Sequence, residues 1–154
     1  MKHTYETKVY YADTDAYGVV WHGSYLRWLE RGRVELCNQL GLNLIEMKKA
    51  DVLLPVTNMN VRYKASARLN DNVIIETWIK DFNGLSVIFK QTIRLVTPNP
   101  TCALPQSTRE GKLLIEATFD VVAVNEEGRL YRRMPDDIAE KLKKGIVELC
   151  PASV

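Results

Sequence analysis

The sequence predicts an α+β domain in which an antiparallel sheet of about five strands curls around one long central helix. Three observations carry this. Apolar residues recur at three- and four-residue intervals between Tyr25 and Leu40, the period of one long amphipathic helix. After Leu53 the period changes to two, in several runs separated by Asn-Gly and Glu-Gly turn chemistry, as expected of strands joined by hairpins. No internal repeat or linker divides the 154 residues, so residues 1–154 are read as one domain, long enough to bury roughly 68–70% of its unfolded surface.

In chain order, Thr4 to Tyr11 alternates as a first strand and runs directly into the stretch Asp13 to Tyr25, DTDAYGVVWHGSY. Tyr25, Leu29, Arg33, Leu36 and Leu40, widened by Leu26 and Cys37 and stopped by Gly41, make a helix of about five turns. It starts at Ser24, an acceptable N-cap, or near His22. A shorter helical segment spans Asn43 to Ala50. Extended runs follow at Leu53 to Tyr63, with Pro55 marking an edge or bulge, and at Val73 to Lys80. Asn83-Gly84 turns the chain into Leu85 to Val96. Pro98 to Gly111 reads as an exposed connector. Leu113 to Val121 is another long strand, and Glu126-Glu127-Gly128 turns it into a short one at Arg129 to Arg133. Pro135-Asp136-Asp137 opens a last helix with Ile138, Leu142 and Ile146 on its apolar side.

A formal net charge of +2 is too small to argue for nucleic acid as a partner. No run approaches the ~20 apolar residues of a membrane helix, and the amino terminus MKHTYETK lacks the apolar core of a signal peptide. Cys37, Cys102 and Cys150 are odd in number and widely spaced, which favours reduced thiols in a cytoplasmic protein over a disulfide framework. No metal or cofactor is expected. One helix covers only one face of the sheet, and unpaired edge strands invite a second copy, so a homodimer or homotetramer is expected.

Asp13 to Tyr25 is where the chemistry is expected. Two aspartates among Ala12, Ala16 and Gly18 suggest a tight turn, while Val19, Val20 and Trp21 are apolar enough to press that turn against a core. A carboxylate held beside apolar surface is a reactive one. DTDAYG also imitates the start of a calcium loop, but Tyr17 at the fifth position and Ser24 at the twelfth break the ligand pattern.

The run Tyr10-Tyr11-Ala12-Asp13-Thr14-Asp15-Ala16-Tyr17-Gly18-Val19-Val20-Trp21-His22, with Tyr25-Leu26-Arg27-Trp28-Leu29-Glu30 and later Leu54-Pro55-Val56, resembles the hotdog-fold acyl-CoA thioesterases of the 4-hydroxybenzoyl-CoA type. Within them it is most similar to the Tol-Pal-associated branch, which also has a histidine at the helix start. The resemblance spans most of the chain, from Val9 to the last strand. It implies an acyl-CoA substrate with an aromatic or a short or medium acyl group, a catalytic carboxylate at Asp15, and an oxyanion-binding backbone N–H at His22. It also implies a close pass of Gly18 to the substrate and a site between two subunits. Tyr17, Val19 and Trp21 fall where substrate-binding residues are expected, and Ser86 matches a strand serine near the coenzyme. The basic cluster that precedes that serine in the 4-hydroxybenzoyl enzymes is replaced here by Asn83-Gly84-Leu85.

The residue types make chemical sense without the family. A thioester carbonyl gathers negative charge on oxygen during attack, and a helix amino terminus offers free N–H groups and a favourable dipole there. A thiolate leaves without strong acid help, the thiol pKa being around 8.5 by analogy with cysteine. One ionised carboxylate, as nucleophile or as base for water, can therefore suffice. Duller roles stand beside these: Asp13 as a turn-former, Asp15 as another, His22 as a helix-end histidine, Tyr17 and Trp21 as plain core. Arg62, Lys64, Arg68, Arg129, Arg132 and Arg133 are either solvated or contacts for coenzyme phosphates. A hotdog dehydratase and a non-catalytic acyl-binding or scaffold protein are the alternative functions.

Overall fold

The computed structural model describes residues 1–96 and 110–146. Cys102, Cys150 and most of the expected 98–111 connector lie outside them. Strands β1 (Lys2–Lys8), β2 (Val56–Tyr63), β3 (Asn72–Phe82), β4 (Ser86–Val96) and β5 (Glu110–Val122) form an antiparallel sheet in the order β1-β3-β4-β5-β2. It wraps helix α1 (His22–Gln39); α2 (Leu44–Lys49) follows α1 and α3 (Asp136–Lys144) closes the described chain. This is the curled sheet around one helix that the sequence predicts.

The helix is held by its apolar stripe. Tyr25, Trp28, Leu29, Leu36 and Cys37 are buried against Ile75, Phe89, Ile93, Ile115 and Phe119 of the sheet, and burying each large aliphatic or Phe side chain contributes about 1.5–3 kcal/mol. Gly32 sets the approach: a Cβ there would lie 2.4 Å from Thr77 Oγ1 and 3.0 Å from Gln91 Nε2. Those two side chains are themselves fully buried. Gln91 Nε2 donates to the Leu29 carbonyl at 2.8 Å and to Thr77 Oγ1 at 2.7 Å, and Gln91 Oε1 accepts from Arg33 Nη1 at 2.9 Å. That network explains a guanidinium on the apolar stripe. The Arg33 guanidinium lies over the Phe119 ring, 3.9 Å from its centre, and burial lowers its pKa to about 10.

Several boundaries differ from expectation for identifiable reasons. The first strand stops at Lys8, since Tyr11–Asp13 winds into a 3-10 turn whose Asp13 side chain accepts the Tyr10 N–H. The sheet register shifts between Ile93, Arg94 and Val96 opposite β5; past this irregularity Leu114, not Leu113, is fully buried with Ile115. Gly111 belongs to β5 rather than to a loop. The expected short strand at Arg129–Arg133 is a single bridge, Leu130 to Val124, and Ile146 lies beyond α3, bridging to Ile79. The edge strand β2 exposes Val56, Met59 and Tyr63, at 42%, 54% and 48%.

Candidate active site

The aspartate stretch is a small hairpin laid across the amino end of α1. Thr14 bridges Val20, and Asp15 N–H donates to the Val19 carbonyl at 2.9 Å. Gly18 N–H returns to the Asp15 carbonyl at 3.0 Å, and Gly18 has φ +77° with nothing near a Cβ, so the turn needs glycine for its left-handed backbone rather than for space. The returning arm is stitched to the segment after β2: Val19 bridges Arg68, and Val20 N–H donates to the Ala67 carbonyl at 2.9 Å.

The two aspartates are divided by their partners. Asp13 is 7% exposed; its Oδ2 takes the Tyr10 N–H at 2.9 Å and its Oδ1 takes Arg27 Nη2 at 3.0 Å. It is a turn-former and anchor. Asp15 is half-buried, and its Oδ1 accepts the Tyr17 N–H at 2.8 Å. Among the described residues Oδ2 has no donor. Asp15 thus combines a fixed carboxylate with one unoccupied oxygen, which a base or nucleophile requires.

Helix α1 starts at His22 rather than Ser24. The preceding Trp21 has extended backbone and its side chain caps nothing. Ser24 is buried in the first turn, its hydroxyl donating to the Asp13 carbonyl at 3.1 Å. Among the described residues the His22 and Gly23 N–H groups meet no acceptor, so the helix presents a bare positive end. Asp15, Val20, His22 and Tyr25 line one cavity of about 320 Å³ with Tyr63, Lys64, Ala65 and Ser66. Tyr63 Oη donates to the His22 carbonyl at 3.3 Å, and Tyr25 Oη accepts the Ala67 N–H at 2.9 Å.

Not every singled-out residue enters this cavity. Val20 is buried and Val19 partly so, but Trp21 is 48% exposed and Tyr17 89%; neither belongs to the core of this chain. Trp21 instead lies across Gly23, where a Cβ would meet its ring at 2.2 Å, with the His22 ring 5.0 Å away. Ser86 sits at the β3–β4 hairpin, bonded to Asn83, outside this cavity. Of the basic residues only Lys64 lines it, paired with Glu116 at 3.3 Å; Arg129 and Arg133 pair with Glu127 and Asp136 on the surface. Among the described residues no cluster of His, Cys, Asp or Glu could hold a metal, and no helix is long and apolar enough to cross a membrane.

Sequence reasoning missed the 63–66 segment as a wall of the cavity and placed Tyr25 among ordinary core residues. The end of an extended run at Tyr63, followed by the small residues Ala65 and Ser66, is the signal that was there to find. A five-stranded antiparallel sheet wrapped over one long helix defines the hotdog class, and here a carboxylate shares a cavity with that helix's bare end. The thioesterase-like superfamily model matches residues 9–142. YneP of Bacillus subtilis is 35% identical over 145 residues, covering 90% of this chain and 96% of that one. The acyl-CoA thioester hydrolase YbgC of Escherichia coli O6:H1 is 34% identical, with coverage of 89% and 92%. Among solved structures, the DHNA-CoA thioesterase of Staphylococcus aureus superposes with a TM-score of 0.77 at 26% identity, covering 93% of this chain and 89% of that one. The chain belongs to the thioesterase-like superfamily.

Proposed function

We propose that the protein is an acyl-CoA thioesterase, hydrolysing a thioester to the free acid and coenzyme A without metal or cofactor, in the cytoplasm, and that one domain over residues 1–154 does so as a homodimer or homotetramer. The observation that carries this is the sharing of one cavity by the half-buried Asp15 and the bare amino end of α1. The names of the relatives and of the solved neighbour support the thioester-hydrolase reading.

The thioester carbonyl oxygen accepts from the His22 amide at the cavity end of α1, a donor positioned before charge develops. Asp15 Oδ2 then acts in one of two ways. It takes a proton from water as the water oxygen bonds the carbonyl carbon; or it attacks that carbon itself, and water cleaves the resulting anhydride. In both, the carbon–sulfur bond breaks and the thiolate leaves with the electron pair; the oxygen the acid gains comes from water on the base route, and on the anhydride route from water or from Asp15 according to which anhydride carbon water attacks. Tyr17, Gly18, Val19, Trp21 and Ser86 are proposed to contact the substrate. The exposed rings of Tyr17 and Trp21 would meet the acyl group where a second subunit covers them, since apolar rings left on a monomer surface mark an interface.

Asp15→Asn preserves shape and removes the charge. Thiol release from aromatic, short- and medium-chain acyl-CoA is expected to fall by 10³-fold or more in Asp15→Asn while the melting temperature holds. Substantial release by this variant, or an enoyl thioester formed with no free thiol, contradicts the assignment.

A further inference from the structure

Tyr25 has an unusual hydrogen-bond account. It is 2% exposed, and its hydroxyl oxygen accepts the Ala67 N–H at 2.9 Å. Among the described residues no protein acceptor takes the hydroxyl proton. With its acceptor role filled by Ala67 and its proton uncommitted to any described residue, the hydroxyl can donate to a molecule in the cavity that Tyr25 lines. Tyr25 lines the same cavity as Asp15 and His22. Its hydroxyl is held by the peptide of Ala67, whose carbonyl in turn anchors Val20 on the aspartate hairpin. The ring is fixed as well, edge-on to Trp28 at 5.5 Å and to Tyr63 at 5.8 Å between centroids. A helical side chain leans toward the helix amino terminus, which directs the phenol of Tyr25 back to the level of the first turn.

We propose that Tyr25 is a further catalytic residue, its hydroxyl donating to the thioester carbonyl oxygen as a side-chain oxyanion donor beside the His22 amide. This rests on the thioesterase reading of the cavity. Tyr25 and Asp15 line the same cavity without a hydrogen bond between them, so neither occupies the other's hydrogen-bonding capacity. Burial raises the phenol pKa; the Ala67 N–H pulls it down, and Tyr63, Asp71 and Asp15 add smaller upward pushes, leaving it raised. The group therefore stays protonated and acts as a donor, not as a base. The Ala67 N–H strengthens that role, because a hydroxyl that accepts a hydrogen bond is polarised to donate a better one.

Tyr25→Phe deletes the hydroxyl and keeps the ring. Expected is a kcat about 10²-fold lower, the loss typical of one oxyanion donor, with KM changed less than threefold, because the bond strengthens in the transition state. A folded Tyr25→Phe protein with wild-type kcat overturns the inference. A second variant carries 3,5-difluorotyrosine at position 25, whose phenol is more acidic. Ionisation then removes the donor, so the alkaline limb of kcat moves to lower pH; a purely structural phenol leaves that limb in place, and an unmoved limb overturns the inference even if Tyr25→Phe does not fold. Asp15→Asn is assayed alongside. If it is inactive while Tyr25→Phe is fully active, only the role of Tyr25 falls; if Asp15→Asn is active, the thioesterase reading falls with it.

Discussion

Ser24 Oγ donates to the main-chain carbonyl of Asp13 across 3.1 Å, and both residues are buried. The same carbonyl accepts the Trp21 N–H at 2.8 Å. The aspartate hairpin and the first turn of α1 are therefore clamped together through one carbonyl, which sets Asp15 and the helix end side by side.

Ser24→Ala removes one of the two clamps. Because the Trp21 N–H still satisfies the carbonyl, the expected cost is about 1 kcal/mol in urea unfolding. The kinetic signature is a fall in kcat with little change in KM, since a loosened carboxylate still permits binding. Equal stability and equal kcat in the variant would contradict the clamp.

Strand β2 is the second place to probe. Met59 is 54% exposed on an edge strand whose neighbour Tyr63 reaches the helix start. If a second copy pairs along this edge, Met59→Lys places a charge in the seam. Sedimentation velocity should show the protein shift from dimer or tetramer to monomer, with loss of activity where the site needs the partner. An unchanged sedimentation coefficient would rule out β2 as the seam.

Cys37 gives a pH test of the core. Burial raises its thiol pKa from 9.0 to about 11, against a smaller opposing pull from Arg33. Between those values the unfolded chain loses the proton while the folded chain keeps it. Stability is then full below pH 9 and declines as pH rises toward 11, by an amount on the order of 2 kcal/mol. Cys37→Ala lacks this decline, so the two stability curves converge as pH rises through that window; parallel curves would show that the thiol is not held protonated.

Much of this was legible in the sequence because periodicity records burial. The stripe from Tyr25 to Leu36 and the alternation in Val87, Phe89 and Ile93 placed the helix and the sheet, and the family pattern placed Asp15 beside the helix start. What periodicity cannot record is which surface does the burying. Trp21 and Tyr17 read as apolar, hence inward, yet both are exposed, because apolar character does not distinguish a chain's own core from a contact with another molecule. The split between Asp13 and Asp15 depends on Arg27 one helix turn inside α1 and on Tyr17 in the turn, and the Tyr25 hydroxyl meets a backbone group 42 positions away. Such long-range pairings leave no local pattern. The Leu113–Leu114 frame was missed because a strand irregularity shifts the alternation without any residue type that marks it.

If Asp15 and the amino end of α1 act on one carbonyl, a bound substrate mimic places that carbonyl against both. A crystal structure of the protein with a non-cleavable acyl-CoA analogue, its sulfur separated from the carbonyl by a methylene, tests this directly. The carbonyl oxygen is expected within about 3 Å of the His22 nitrogen, with the carbonyl carbon facing Asp15 Oδ2. An analogue bound with its carbonyl turned away from the helix end, or seated in another cavity, would contradict it.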